Sequence, residues 1–291
     1  MNSTTTLWPI YAVPPSKFPG ALREIPDPPK KLYARGILPE KDNVLLTVVG
    51  SRKYTSYGKD ACEYIIRGLR GFPFTIVSGL ALGIDAIAHT AALSSGISTL
   101  AVPGSGLDDR VLYPRTNFIL AQNILRAGGA LLSESEPNER PQLFSFPKRN
   151  RIMAGMSEAT LIIEAGKKSG SLITAYLALD YNRTVFAVPG PVFNKNAEGV
   201  HGLLKEGATP VTSADDILLA FNIKNDSPRQ KEKGADISDD EQKLLSMLDE
   251  ETEKDTLVEK LLWSPARVNS VVTMLVLKGF IKDDSGIIRR V

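Results

Sequence analysis

Residues 44–49 read Val-Leu-Leu-Thr-Val-Val and stop at Gly50. A short, almost unbroken apolar run closed by glycine is the pattern of a strand buried on both faces of a parallel sheet. The pattern recurs down the chain. It predicts strands over 74–78, 98–102, 130–133, 160–164, 184–188 and 210–211. Between them it predicts helices over 57–71, 84–95, 117–127, 149–156, 172–180, 200–206 and 214–220. Such alternation argues for an α/β fold, a mostly parallel open sheet with helices on both faces. It does not fix the order of the strands.

The flanks differ in pattern. Residues 1–31 hold Pro9, Pro14, Pro15, Pro19, Pro26, Pro28 and Pro29, a density that forbids a regular helix or central strand. The expectation is an extended arm laid on a domain surface, or a tether. Residues 32–38 read as an edge strand at the start of the main domain, which runs over 32–222. Residues 223–236 are polar and charged and contain Pro228 and Gly234, which predicts a linker. A smaller domain follows over 237–291. Helices are predicted over 239–249 and 256–262. A third opens at Ser264-Pro265, with Val268, Val271, Val272 and Leu275 on its apolar face. Asp284-Ser285-Gly286 between two apolar stretches signals a hairpin. Three helices and a hairpin predict a winged helix.

Composition narrows the function. The chain is 43% hydrophobic and 23% charged, as in an ordinary globular protein. Thirty-five basic residues face 33 acidic ones, a net charge of +2, so any nucleic-acid site must be a local patch. Cys62 is the one cysteine, which excludes an internal disulfide and leaves too few ligands for a zinc knuckle. No apolar run has membrane-spanning length, and residues 1–6 lack a signal pattern, so the expected address is the cytoplasm.

Ligands of parallel sheets sit beyond the carboxyl ends of the strands. Here those ends read Gly50-Ser51-Arg52, then Ser78 to Asp85 with Gly79 and Gly83, then Pro103-Gly104-Ser105-Gly106 and Pro189-Gly190-Pro191. Ser169-Gly170-Ser171 precedes a helix. Glycine lets backbone amides approach a ligand closely, and helix N-termini favour anions. No P-loop and no nicotinamide fingerprint is present. Plain turn chemistry explains any one such turn, but several on one edge suggest a cradle for phosphates. Arg52, Arg115, Lys148, Arg149 and Arg151 add cations suited to phosphate. Lys167 and Lys168 read as solvated charge, and Arg149 suits an ion pair as well as a phosphate. Asp85 and His89 lie four residues apart on one helix and can touch; the simpler reading is helix-start stabilisation and a hydrogen-bonded His89. His201 has no evident partner. No nucleophile–base order and no metal spacing is found.

Seven segments together resemble the DNA-processing protein A (DprA/Smf) family. They are GSRKYTSYG (50–58), SGLALGIDAIAH (78–89), YPRTN (113–117), LLSESEP (131–137), FPKRNRIMAG (146–155), SGSLITA (169–175) and FAVPGP (186–191). The resemblance covers residues 32–219. It implies an extended Rossmann-like doubly wound domain that binds single-stranded DNA at the strand ends, dimerises through that domain and helps load the RecA recombinase. It implies no catalysis, no cofactor and no metal. Its DNA-binding residues would be Gly50, Ser51, Arg52, Arg115, Lys148, Arg149, Asn150, Arg151, Ser169, Gly170 and Ser171. The chain departs from the family pattern in three places. The proline-rich arm stands where many relatives carry a helical domain. His201 replaces an Asn. Leu143 stands where one type of relative has Lys before its Phe-x-Phe-Pro.

Two other classes compete. One is a nucleotide-processing enzyme of the lysine-decarboxylase-like type, whose Pro-Gly-Gly-x-Gly-Thr segment is only partly echoed by 103–106 and 189–191. The other is a transcription regulator acting through the winged helix. Only Arg267 and Lys278 are basic on the third helix of that unit, so a protein-contact role fits it at least as well as duplex binding.

Overall fold

The computed structural model describes residues 8–224, 238–248, 251–278, 280–284 and 286–290. The chain divides into two compact units, residues 1–224 and 225–291. The expected linker falls almost wholly outside the described residues.

The first unit is built on a nine-stranded sheet. Its strands are β1 (Ile10–Val13), β2 (Leu32–Gly36), β3 (Val44–Val49), β4 (Phe74–Ser78), β5 (Ser98–Ala101), β6 (Ala130–Ser133), β7 (Ala159–Ile162), β8 (Thr184–Ala187) and β9 (Thr209–Pro210). They lie in the order β1-β2-β6-β5-β4-β3-β7-β8-β9. From β6 to β9 every pair is parallel; β2 runs antiparallel to β6, and β1 to β2.

The helices are α1 (Ser56–Gly68), α2 (Ile84–Ser94), α3 (Phe118–Arg126), α4 (Ser145–Met156), α5 (Gly170–Asp180), α6 (Glu198–Lys205) and α7 (Ala214–Ala220). Alternation in β3 shows how the layers form. Leu46 and Val48 join a core with Cys62, Ile65 and Ile66 of α1, Ala88 of α2 and Ile217 of α7. Leu45 and Val49 join the opposite core with Ile152 and Met153 of α4, Ala175 of α5 and Val200 of α6. Successive side chains point to opposite faces, so a strand apolar at nearly every position serves two helical layers. The one polar residue, Thr47, is fully buried and donates to Met153 O at 3.1 Å. Helix α4 begins four residues before its expected start despite Pro147. A proline in the first turn lacks an N–H that would have had no helical partner there.

The N-terminal segment corrects the sequence expectation. It is neither a surface arm nor a tether within the described residues. Ile10–Val13 pairs with β2 and takes the sheet edge, so β2 is an interior strand. Phe18, Leu22 and Ile25 are 6%, 0% and 4% exposed, inside the core beneath α4. Each such side chain contributes roughly 1.5–3 kcal/mol by leaving water. The prolines exclude regular structure, but they do not prevent apolar side chains from tucking in. Gly155 of α4 makes the room: a Cβ there would stand 2.8 Å from Ile25.

The second unit contains α8 (Asp239–Ser246), β10 (Thr252–Glu253), α9 (Lys254–Leu261), α10 (Pro265–Leu277), β11 (Ile281–Asp284) and β12 (Ile287–Arg290). The strands form an antiparallel sheet in the order β10-β12-β11. The short β10 was not foreseen. Leu244, Leu257, Val268, Val272, Leu275 and Ile288 make a separate core.

Candidate nucleic-acid interface

Strand β3 lies between β4 and β7, and the chain leaves β3 and β7 in opposite directions. After β3 it passes to α1 on one face; after β7 it passes to α5 on the other. The two connections diverge and open a crevice at the carboxyl edge, the usual ligand position in open α/β sheets.

A groove of about 660 Å³ occupies this position. Its walls come from the turn after β3 (Gly50 to Lys53), the turn before α5 (Gly166 to Ser171) and the stretch Lys195, Asn196 and Glu198 after β8. The last wall is α4, through Phe146, Arg149, Asn150 and Met153. Arg52, Lys53, Arg149, Lys167, Lys168 and Lys195 supply six cations against the two carboxylates Asp85 and Glu198. Lys167 stands 3.8 Å from Glu198. A molecule of net charge +2 thus concentrates positive charge at one edge.

Each wall is held by hydrogen bonds behind it. Ser51 Oγ accepts from Lys53 N at 3.1 Å and donates to Lys53 O at 2.8 Å, which curls the β3 turn. The turn is clasped to α2, where Ile84 N donates to Ser51 O at 3.2 Å. Gly83 permits this contact. Its φ of 83° lies in the left-handed region, and a Cβ there would collide with Ser51 O. Beyond the turn, buried Glu164 accepts from Thr55 N at 2.9 Å, and Thr55 caps α1. At α5, Ser169 Oγ accepts from Ser171 N at 3.4 Å as the N-cap. The exposed Gly170 leaves the helix N-terminus open to the groove.

The floor is electrostatic. Arg149, 7% exposed, donates through Nη1 to Gly79 O and Val102 O and through Nε to Asn150 Oδ1 at 3.1 Å. Asp85 accepts from Gly79 N at 3.1 Å and Ala81 N at 3.3 Å. Arg149 and Asp85 approach the same face of Gly79, where a Cβ would strike the guanidinium. Burial pushes the Asp85 carboxyl up from its ordinary range, opposed by the charges of Arg149 and Arg52 and by those two amides. Burial likewise pulls Arg149 down, opposed by Asp85. Asp85 therefore orders the loop before its helix rather than the helix start alone. His89 does not pair with it. His89 Nδ1 meets Thr99 Oγ1 at 2.7 Å, and burial lowers its pKa to about 3. His201 has a partner after all, with Nε2 3.0 Å from Gly190 O.

The expected site residues do not all converge. Gly50, Ser51, Arg52, Arg149, Asn150, Ser169, Gly170 and Ser171 line the groove; Arg115, Lys148 and Arg151 do not. Arg151 is 7% exposed. Its Nη2 donates to both Glu134 oxygens at 2.7 Å, and Nη1 donates to Asp27 O at 2.6 Å. It pins the N-terminal segment to the end of β6 and is unavailable to a ligand. Lys148 lies 3.3 Å from Glu134 beside a separate recess of about 60 Å³. Arg115 donates to Asp109 O and lies 4.7 Å from the Phe118 ring centre. An α-helix turns its residues about 100° apiece, so the consecutive cations of α4 face three directions.

Sequence reasoning missed Lys53, Lys195, Asn196 and Phe146 and set Lys167 and Lys168 aside. The Phe146 ring packs over Gly104 beyond β5, lies 5.7 Å from the Arg52 guanidinium and 5.8 Å from the Tyr113 ring. A double aromatic in 144–146 beside basic residues was the available signal. The glycine turn at 103–106 is filled from within, by Phe146 at Gly104 and by the backbone of Glu136 and Pro137 at Gly106. Among the described residues, no group of three or more His, Cys, Asp or Glu could hold a metal ion, and no helix is long and apolar enough to cross a membrane.

A cation-rich groove at the switch point of a Rossmann-like sheet, walled by an aromatic ring, defines a polyanion-binding class of protein. The family model described as DNA recombination-mediator protein A matches residues 10–222, and the chain belongs to that family. It is 42% identical over 216 residues to the DNA processing protein DprA of Streptococcus pneumoniae, covering 74% of this chain and 75% of that protein. It is 42% identical over 208 residues to protein Smf of Escherichia coli, covering 71% of this chain and 55% of Smf. The crystal structure of the pneumococcal protein superimposes with a TM-score of 0.66 at 40% identity, covering 73% and 74% of the two chains. The DNA processing protein A of Helicobacter pylori, in a structure concerned with its single-stranded DNA binding mode, gives 0.64 at 30% identity, covering 73% and 95%. The family of mediators, and not that of the lysine-decarboxylase-like enzymes, is thereby assigned. The match ends before the second unit.

Proposed function

We propose that this chain binds single-stranded DNA along the carboxyl edge of its sheet and acts as a non-catalytic recombination mediator. The observation that carries the reading is the set of six cations and open amides converging on one groove at the β3/β7 crevice. Arg52 and the lysines neutralise phosphates, and the amides of Gly50, Ser51 and Gly170 hold phosphate oxygens. Arg149 and Asn150 fix the floor. Phe146 offers its face to a base, which a single strand exposes and a duplex hides. A strand leaving past Phe146 and Tyr113 meets Lys148 and Arg115 at that end. In this reading the protein works in the cytoplasm as a homodimer through the Rossmann-like domain and delivers the strand to RecA.

The second unit reads as a winged helix, but both cations of its third helix are engaged. Arg267 donates to Asp240 at 2.8 and 2.9 Å, and Lys278 to Glu241 at 2.7 Å. That arrangement favours a protein contact over duplex binding.

The test is anisotropy on matched single- and double-stranded oligonucleotides with Arg52→Glu alongside. The substitution is expected to weaken oligothymidine binding at least about tenfold, a loss of about 1.4 kcal/mol. A folded variant that binds as tightly as the parent removes the groove from consideration.

A further inference from the structure

Phe193 is fully exposed, and Val192 beside it is 76% exposed. The loop that carries them is nevertheless fixed. Asn194 N donates to Pro191 O at 3.0 Å, and Asn196 N to Asn194 Oδ1 at 2.9 Å. Asn196 O accepts from Ala165 N at 2.7 Å, and Asn196 Nδ2 donates to Lys53 O at 2.6 Å. The loop is therefore fastened to both turns that wall the groove. Lys195 and Asn196 line the groove itself. A benzyl ring held in water on a pinned loop, two residues from a groove lysine, is a contact surface whose orientation is already set.

Position in the sheet gives this ring a counterpart. Phe146 packs beyond β5, and Phe193 follows β8. Four strand steps separate β5 from β8 in the order β5-β4-β3-β7-β8. At about 4.8 Å per step the two ends lie roughly 19 Å apart. Arg52 and Lys53 follow β3, and Lys167 and Lys168 follow β7, both strands between these two in that order. We propose that Phe193 is a second base-stacking platform, so that a single strand lying across the groove is held by an aromatic ring at each end. The inference rests on the single-stranded DNA reading above and extends it to a footprint. At about 3.4 Å per stacked nucleotide, spanning that strand-end distance takes about six nucleotides. The charge setting favours DNA over an apolar protein partner, because Lys195 lines the groove with Lys167 and Lys168, and Glu198 in the same wall already faces Lys167.

The test measures binding of oligothymidines from 4 to roughly 20 nucleotides, a range set by that footprint, to the full chain and to Phe193→Ala, Phe193→Trp and Arg52→Glu. Phe193→Ala is expected to leave 4-mer binding unchanged and to weaken longer strands at least about fivefold, the lower range for a base–aromatic stack. Its slope of log affinity against log salt should match the parent, because stacking releases no counterions. Phe193→Trp should bind long strands as the parent does. Parent-like binding of Phe193→Ala at every length, with Arg52→Glu still weak, overturns the second platform and leaves the groove standing. An equal loss at every length, or a changed salt slope, also overturns it. If Arg52→Glu binds as the parent does, the groove reading fails and this inference with it.

Discussion

Arg151 holds Glu134 by both carboxylate oxygens at 2.7 Å, with the two side chains only 8% and 14% exposed. The contact joins α4 to the end of β6, and the same guanidinium carries the N-terminal segment through Asp27 O. An arginine from the most conspicuous basic triplet of the sequence is thus a structural clamp. Removing it leaves Glu134 facing only Lys148, 3.3 Å away and half exposed, and takes away two charge-assisted hydrogen bonds. Arg151→Ala should lower stability by about 1.5–3 kcal/mol, the range for losing hydrogen bonds to a charged group. Urea unfolding followed by circular dichroism checks this, and the folded fraction should keep parental affinity for oligothymidine.

Salt dependence reads the number of phosphates neutralised. For single strands, log affinity falls with log salt at a slope of about 0.7 per phosphate contact. Lys53→Ala, Lys168→Ala and Lys195→Ala should each flatten the slope by about that amount, since each residue lines the groove. Arg115→Ala lies outside it and should change the slope less. Anisotropy from low to physiological salt gives the slopes.

Gly83 binds nothing in this picture, yet it sets the distance between two walls of the site. Alanine there meets both a positive φ and the carbonyl of Ser51. Gly83→Ala should cost more than about 1 kcal/mol of stability. It should also weaken DNA binding, because the β3 turn and α2 can no longer close at 3.2 Å. Thermal melting and anisotropy on the same sample separate the two effects.

His89 gives the first unit an acid limit. Its folded pKa of about 3 lies below the ordinary 6.5, so between these values the unfolded chain binds a proton that the folded chain excludes. Stability from this group is fully present above pH 6.5 and declines as pH falls toward 3, at up to about 1.4 kcal/mol per pH unit. Asp85 acts oppositely, because burial raises its pKa and protonation favours the fold. Urea midpoints between pH 7 and 5 should fall with pH for the parent and less for His89→Gln. A parental pH dependence that His89→Gln leaves unchanged counts against a buried neutral imidazole.

Apart from β1 and β10, the strands and helices were legible in the sequence because each follows from local periodicity, and the apolar runs at 44–49 and 74–78 have one plausible use. The switch-point turns were legible too, since glycine and serine after a buried strand mark a place where backbone must be open. Family membership followed from motifs in order. Three things were decided only by packing. The proline-rich segment became part of the sheet and core, because a missing regular pattern does not reveal which apolar residues find a hole. The cations of α4 divided among a floor, a rim and a clamp, because helical rotation and the acceptors across the interface set their directions. Lys167, Lys168 and Lys195 gathered beside Arg52 and Lys53 although the three segments that carry them are far apart in the chain. Charge density at a surface is a property of positions in space, and a nearly neutral composition carries no record of it.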